Sequence, residues 1–107
     1  MSQPLFKKVA FIGLGLIGSS LARVIRAEHL ANDIVASTRS QKTLEDAKSL
    51  GLISEGYADP IEAVKGADLV VLALPVRATQ KVLEAIQPYL SPNTIITDVG
   101  STKGNVV

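Results

Sequence analysis

Gly13, Gly15 and Gly18 stand at the spacing G-x-G-x-x-G directly after the apolar run Val9-Ala10-Phe11-Ile12. Such a turn needs no reactive side chain to do chemistry. Unpaired backbone N–H groups at the start of a helix attract phosphate, and the helix dipole favours negative charge at the same end. The three glycines act differently. Gly13 permits the sharp turn, Gly15 lets the backbone approach a pyrophosphate, and Gly18 lets the helix pack closely on the strand. With Leu16 and Ile17 between them, they form a candidate dinucleotide-binding turn, because the motif follows a strand pattern and opens a helix.

The second candidate cluster is Ser37-Thr38-Arg39-Ser40. In units of this kind an acidic residue about 20 positions beyond the glycine motif binds the adenosine ribose, whereas an arginine nearby accommodates a 2′-phosphate. That count leads from Gly18 to Thr38, and the acid is missing. The hydroxyls of Ser37, Thr38 and Ser40 with the guanidinium of Arg39 suit a phosphate monoester held by charge-assisted hydrogen bonds. The expected cofactor is therefore NADP, with NAD remaining possible.

Two further stretches follow strand patterns. Asp68-Leu69-Val70-Val71-Leu72-Ala73-Leu74 ends at Pro75-Val76, and Thr94-Ile95-Ile96-Thr97-Asp98-Val99 runs into Gly100-Ser101-Thr102-Lys103-Gly104. Open α/β sheets bind ligands beyond the carboxyl ends of their strands, which places Leu74, Pro75, Val76, Gly100, Ser101 and Lys103 beside the ligand crevice. The loop after Val99 lacks the order G-x-x-x-x-G-K-[ST], so it is not a P-loop. His29 is the only histidine. It falls roughly 16 Å beyond Gly18 at helical rise, which favours a surface or helix-end role over catalysis.

These candidates need a scaffold, and the chain supplies alternating patterns. A strand beginning near Lys7 or Lys8 precedes a helix running to about His29, with Leu16, Ile17, Leu21, Val24 and Ile25 at core spacing. A second strand follows Asn32-Asp33. Leu44, Ala47 and Leu50 mark a short helix ended by Gly51, and residues 52–57 read as a short strand or a connection. Asp59-Pro60 fits an N-cap followed by proline at the first helical position, for a helix ending near Gly66. Val76 to Gln87 form another helix, with Val82, Leu83 and Ile86 as core and Pro88 at its end. The expected fold is α/β: a Rossmann-type, doubly wound, mostly parallel sheet with helices on both faces, in a single domain.

Composition agrees with one domain. The 107 residues are 47% hydrophobic and 20% charged, ordinary for a globular unit, with residues 1–7 as a leader and 8–107 as the dinucleotide-binding domain. A net charge of +1, without a basic stripe, argues against nucleic acid as partner. Zero cysteines and one histidine argue against a metal centre. No signal peptide or membrane span is expected, and the expected location is cytoplasmic.

The combination of Gly13-Leu14-Gly15-Leu16-Ile17-Gly18-Ser19-Ser20-Leu21, Ala67-Asp68-Leu69-Val70-Val71-Leu72-Ala73-Leu74-Pro75-Val76 and Asp98-Val99-Gly100-Ser101-Thr102-Lys103 resembles the prephenate/arogenate dehydrogenase family from about Lys8 onward. The resemblance implies oxidative decarboxylation of prephenate or arogenate in tyrosine biosynthesis, by hydride transfer to NAD(P). It implies that Ser101 lies near the substrate hydroxyl and the nicotinamide, with Lys103 in the same loop. The family's general-base histidine follows that loop and is not matched in this chain. Nor is the helical C-terminal domain, which implies a homodimer for the full-length protein and little activity for this chain alone. The rival readings are the cofactor domain of a 6-phosphogluconate or hydroxyacid dehydrogenase or a pyrroline-carboxylate reductase, and a stand-alone NAD(P)-binding sensor.

Overall fold

The computed structural model describes residues 6–13, 16–38, 40–74 and 76–98, with the backbone alone for 16–19 and 76. The first strand, β1 (Phe6–Ile12), starts one residue before Lys7. Its second half, Val9 to Ile12, is fully apolar because both faces are covered. Helix α1 (Leu16–Ala27) stops short of His29. The chain leaves it through His29 at φ 55°, where the Leu30 N–H donates to the Ile25 carbonyl at 2.9 Å and the His29 N–H to Arg26 at 3.2 Å. This is a left-handed helix cap, a conformation more often given to glycine, so the histidine is spent on a turn.

Strand β2 (Ala31–Ser37) is followed by α2 (Gln41–Ser49), whose N-cap Ser40 accepts a hydrogen bond from the Thr43 N–H at 3.2 Å. Residues left open between strand and connection contain β3 (Glu55–Tyr57). Asp59 caps α3 (Pro60–Val64), its carboxylate accepting from the Ile61 N–H at 2.9 Å. Strand β4 (Leu69–Leu72) is shorter than the apolar run: the Ala73 N–H still donates to the Ile12 carbonyl at 2.9 Å, after which the chain turns away. Helix α4 (Val76–Ile86) gives way to a 3-10 turn over Gln87–Tyr89 that accommodates Pro88, and β5 (Ile95–Asp98) completes the described elements.

All described strand pairs are parallel, in the order β3-β2-β1-β4-β5. Alternate residues of each central strand feed opposite cores. Val9, Phe11, Ile34, Ala36 and Val71 pack with Ala22 and Ile25 of α1 and with Leu44 and Ala47 of α2. Ala10, Ile12, Val35, Val70 and Leu72 pack with Ala63 and Val64 of α3 and with Ile86 of α4. The sheet is thus wound on both faces, as its apolar strands require.

Two positions read as part of the helical spacing stand outside these cores. Val24 is 52% exposed and Leu50 64% exposed. The buried stripe of α1 runs through Ala22 and Ile25 with Leu21 at its margin, leaving Val24 on the flank, while Leu50 is the cap residue beyond the last turn of α2. Val82 and Leu83 are only partly buried against the second core, and Ile86 is its fully buried member on α4.

Candidate functional site

Connections leave the sheet in opposite directions on either side of the β1–β4 pair: β1 leads to β2, and β4 leads to β5. Such a switch point opens a crevice beyond the strand C-termini. Gly13 and Leu74 occupy it. Gly13, at φ 82°, sits so close to the end of β4 that a Cβ would lie 2.5 Å from the Ala73 carbonyl oxygen and 2.8 Å from Leu74 Cδ2. Only glycine combines that backbone conformation with that approach. The Gly13 N–H also donates to the Ser37 carbonyl at 2.6 Å, tying the turn to the end of β2.

A cavity of about 440 Å³ opens at this edge, between Ile12 at the end of β1, Ser37 and Thr38 at the end of β2, and Leu74 after β4. Pro60 of α3 and Ala78 and Val82 of α4 complete its wall. Its size and its mainly apolar surface with a few hydroxyls match sites that take a ring or sugar of a small organic ligand. Ser37 is only 3% exposed, and its hydroxyl makes no hydrogen bond among the described residues. A buried hydroxyl without a partner is costly, and a ligand in the cavity would relieve that cost. Thr38 accepts from the Ser40 N–H at 3.3 Å, which leaves its own hydroxyl proton to donate.

The candidates read from sequence therefore divide. Gly13, Ser37, Thr38 and Leu74 are brought together at one edge of the sheet. Ser40 stands beside them but does not line the cavity; its hydroxyl caps α2. Leu16, Ile17 and Gly18 form the first turn of α1 and Val76 the first residue of α4, so both helix starts face the C-terminal edge of the sheet. Gly15, Arg39, Pro75, Gly100, Ser101 and Lys103 lie outside the described residues. Asp98, the last residue of β5, pairs with Leu72 at the same edge.

Sequence reasoning missed Ile12, Pro60 and Ala78 as lining and read Val82 only as core. The period of α4 could have found Ala78 and Val82, which stand one turn apart on the same face. Among the described residues no group of His, Cys, Asp or Glu could hold a metal ion, and no helix is long and apolar enough to cross a membrane.

Residues 21–107 match the family model described as prephenate dehydrogenase, nucleotide-binding domain. The match starts beyond Gly18, so it does not lean on the glycine turn. The chain is 42% identical over 104 residues to the cyclohexadienyl dehydrogenase of Zymomonas mobilis, covering 95% of this chain and 35% of that protein. It is 39% identical over 105 residues to the prephenate dehydrogenase of Lactococcus lactis, covering 94% of this chain and 28% of that protein. A crystal structure of prephenate dehydrogenase from Aquifex aeolicus in complex with hydroxyphenyl propionate and NAD+ aligns at a TM-score of 0.80 and 27% identity, over 98% of this chain and 36% of that one. The chain thus spans between 28% and 36% of the length of these relatives.

Proposed function

The chain belongs to the prephenate dehydrogenase family as a nucleotide-binding domain, and on that premise we propose that it holds NADP for the oxidative decarboxylation of prephenate or arogenate. The observation that carries the reading is the cavity at the β1–β4 switch point, with the Gly13 turn beside it and, in its wall, a Ser37 hydroxyl that has no partner among the described residues. These features fit the adenosine end of a dinucleotide. The apolar wall of Ile12, Leu74 and Val82 suits a flat ring, while Ser37 and Thr38 offer hydrogen bonds to a sugar.

Thr38 stands where an acid would select NAD, and Arg39 follows it, so a 2′-phosphate would meet hydroxyls and a guanidinium instead of a carboxylate. The rival choice within the same site is NAD, supported by the NAD+ in the Aquifex aeolicus relative. When bound, the cofactor supplies the hydride acceptor for the carbon bearing the substrate's ring hydroxyl, whose oxidation accompanies loss of carbon dioxide and aromatisation. Ser101 is the residue that orients that hydroxyl, and Gly100 and Lys103 are the cofactor-binding residues of the same stretch. The substrate is a small molecule, and the full-length protein is a homodimer.

Residues 1–107 alone are expected to bind NADP but to turn over neither prephenate nor arogenate, since the general base is not matched among them. Nucleotide titration followed by an absorbance assay for reduced cofactor tests both halves. Robust turnover by this chain would contradict the assignment of the base elsewhere, and failure to bind either nucleotide would contradict the cofactor reading.

A further inference from the structure

Thr79 is a buried polar residue that the glycine turn and the ribose cluster leave unexplained. It lies in the first turns of α4, is 5% exposed, and donates its hydroxyl hydrogen to the Leu74 carbonyl at 3.2 Å. Valine would fill the same volume without burying a hydroxyl, and alanine would favour the helix more. The hydroxyl therefore has to be accounted for by what it holds. Among the described residues it holds Leu74, the residue between β4 and α4 whose side chain touches both the glycine turn and the cavity. Leu74 lines the cavity, and its Cδ2 lies 2.8 Å from where a Cβ on Gly13 would stand.

We propose that Thr79 is a positioning residue for the nucleotide site: by holding the Leu74 carbonyl, it fixes the Leu74 side chain between the Gly13 turn and the cavity wall. The inference rests on the reading of that cavity as the cofactor's. Leu74 meets the ligand beside Ser37 and Thr38, at the adenosine end. Loss of the Thr79 hydroxyl thus weakens NADP, NAD and the fragment 2′,5′-ADP alike and leaves the NADP/NAD preference unchanged.

The test is calorimetric titration of the 107-residue chain and its variants with NADP, NAD and 2′,5′-ADP. Thr79→Val is expected to raise all three dissociation constants roughly fivefold, the scale of one hydrogen bond, while Thr79→Ser, which keeps the hydroxyl, stays within about twofold of wild type. In a Leu74→Ala background, where the wall is already gone, Thr79→Val is expected to add less than about twofold, because residues acting through one another are not additive. Unchanged affinity in Thr79→Val, failure of rescue by serine, or an equal loss in both backgrounds would overturn the proposal while leaving the cofactor reading intact. Absence of binding by the wild type would overturn both. Should Thr79→Val not fold, Thr79→Cys, whose thiol is a weak donor, takes its place with the same expected loss.

Discussion

A Cβ on Gly13 would stand 2.5 Å from the carbonyl oxygen of Ala73, the residue that follows β4. The turn after the first strand and the exit from the fourth are therefore in backbone contact. That contact makes the glycine a structural requirement before any ligand arrives.

Gly66 provides the control for this claim. It has φ 76°, close to the 82° of Gly13, but a Cβ there would meet nothing within 4 Å. Gly66→Ala is expected to cost only the left-handed backbone strain, about 1 to 2 kcal/mol. Gly13→Ala adds a collision with the backbone and is expected to cost roughly 3 kcal/mol or more. Urea unfolding of the two variants measures the difference, and equal losses would show that the β4 exit yields easily.

Thr38→Asp is expected to invert the preference between nucleotides. A carboxylate would repel a 2′-phosphate and accept hydrogen bonds from the ribose hydroxyls. The ratio of NADP to NAD dissociation constants should rise by about tenfold to a hundredfold, the scale of a charge-assisted hydrogen bond. An unchanged ratio in paired titrations would place the 2′-position somewhere other than beside Thr38.

Ser37 offers a test that separates binding from stability. Its hydroxyl is buried and unpartnered among the described residues, so Ser37→Ala is expected to leave the unliganded chain at least as stable as wild type. The same change should weaken nucleotide binding roughly fivefold. Thermal melts with and without NADP read both quantities. A marked loss of unliganded stability with unaltered affinity would make the hydroxyl a structural group.

The scaffold was legible in the sequence wherever a pattern had one physical cause. Val9 to Ile12 and Leu69 to Leu72 are apolar throughout because both faces of those strands are covered, and Asp59-Pro60 and Ser40 are helix starts by their own chemistry. Helix flanks were less legible, because spacing places a residue near a stripe without saying how wide the stripe is. Val24, beside the buried Ile25, is 52% exposed for that reason.

The cavity was legible only in part. Ser37, Thr38 and Leu74 announced themselves through strand-end position and Ala78 was readable from the period of α4, but Pro60 enters from a helix whose packing angle no local pattern encodes. Thr79 was invisible because a single threonine in a helix has many explanations, and its bond to Leu74 points to one of them.

The edge cavity between Ile12, Ser37 and Leu74 is proposed as the adenosine site of a nicotinamide dinucleotide. Calorimetric titration of the 107-residue chain with NADP and with NAD tests it most directly. Saturable binding of both, tighter for NADP and weakened by Ser37→Ala, is the predicted result. Binding of neither nucleotide would contradict the account.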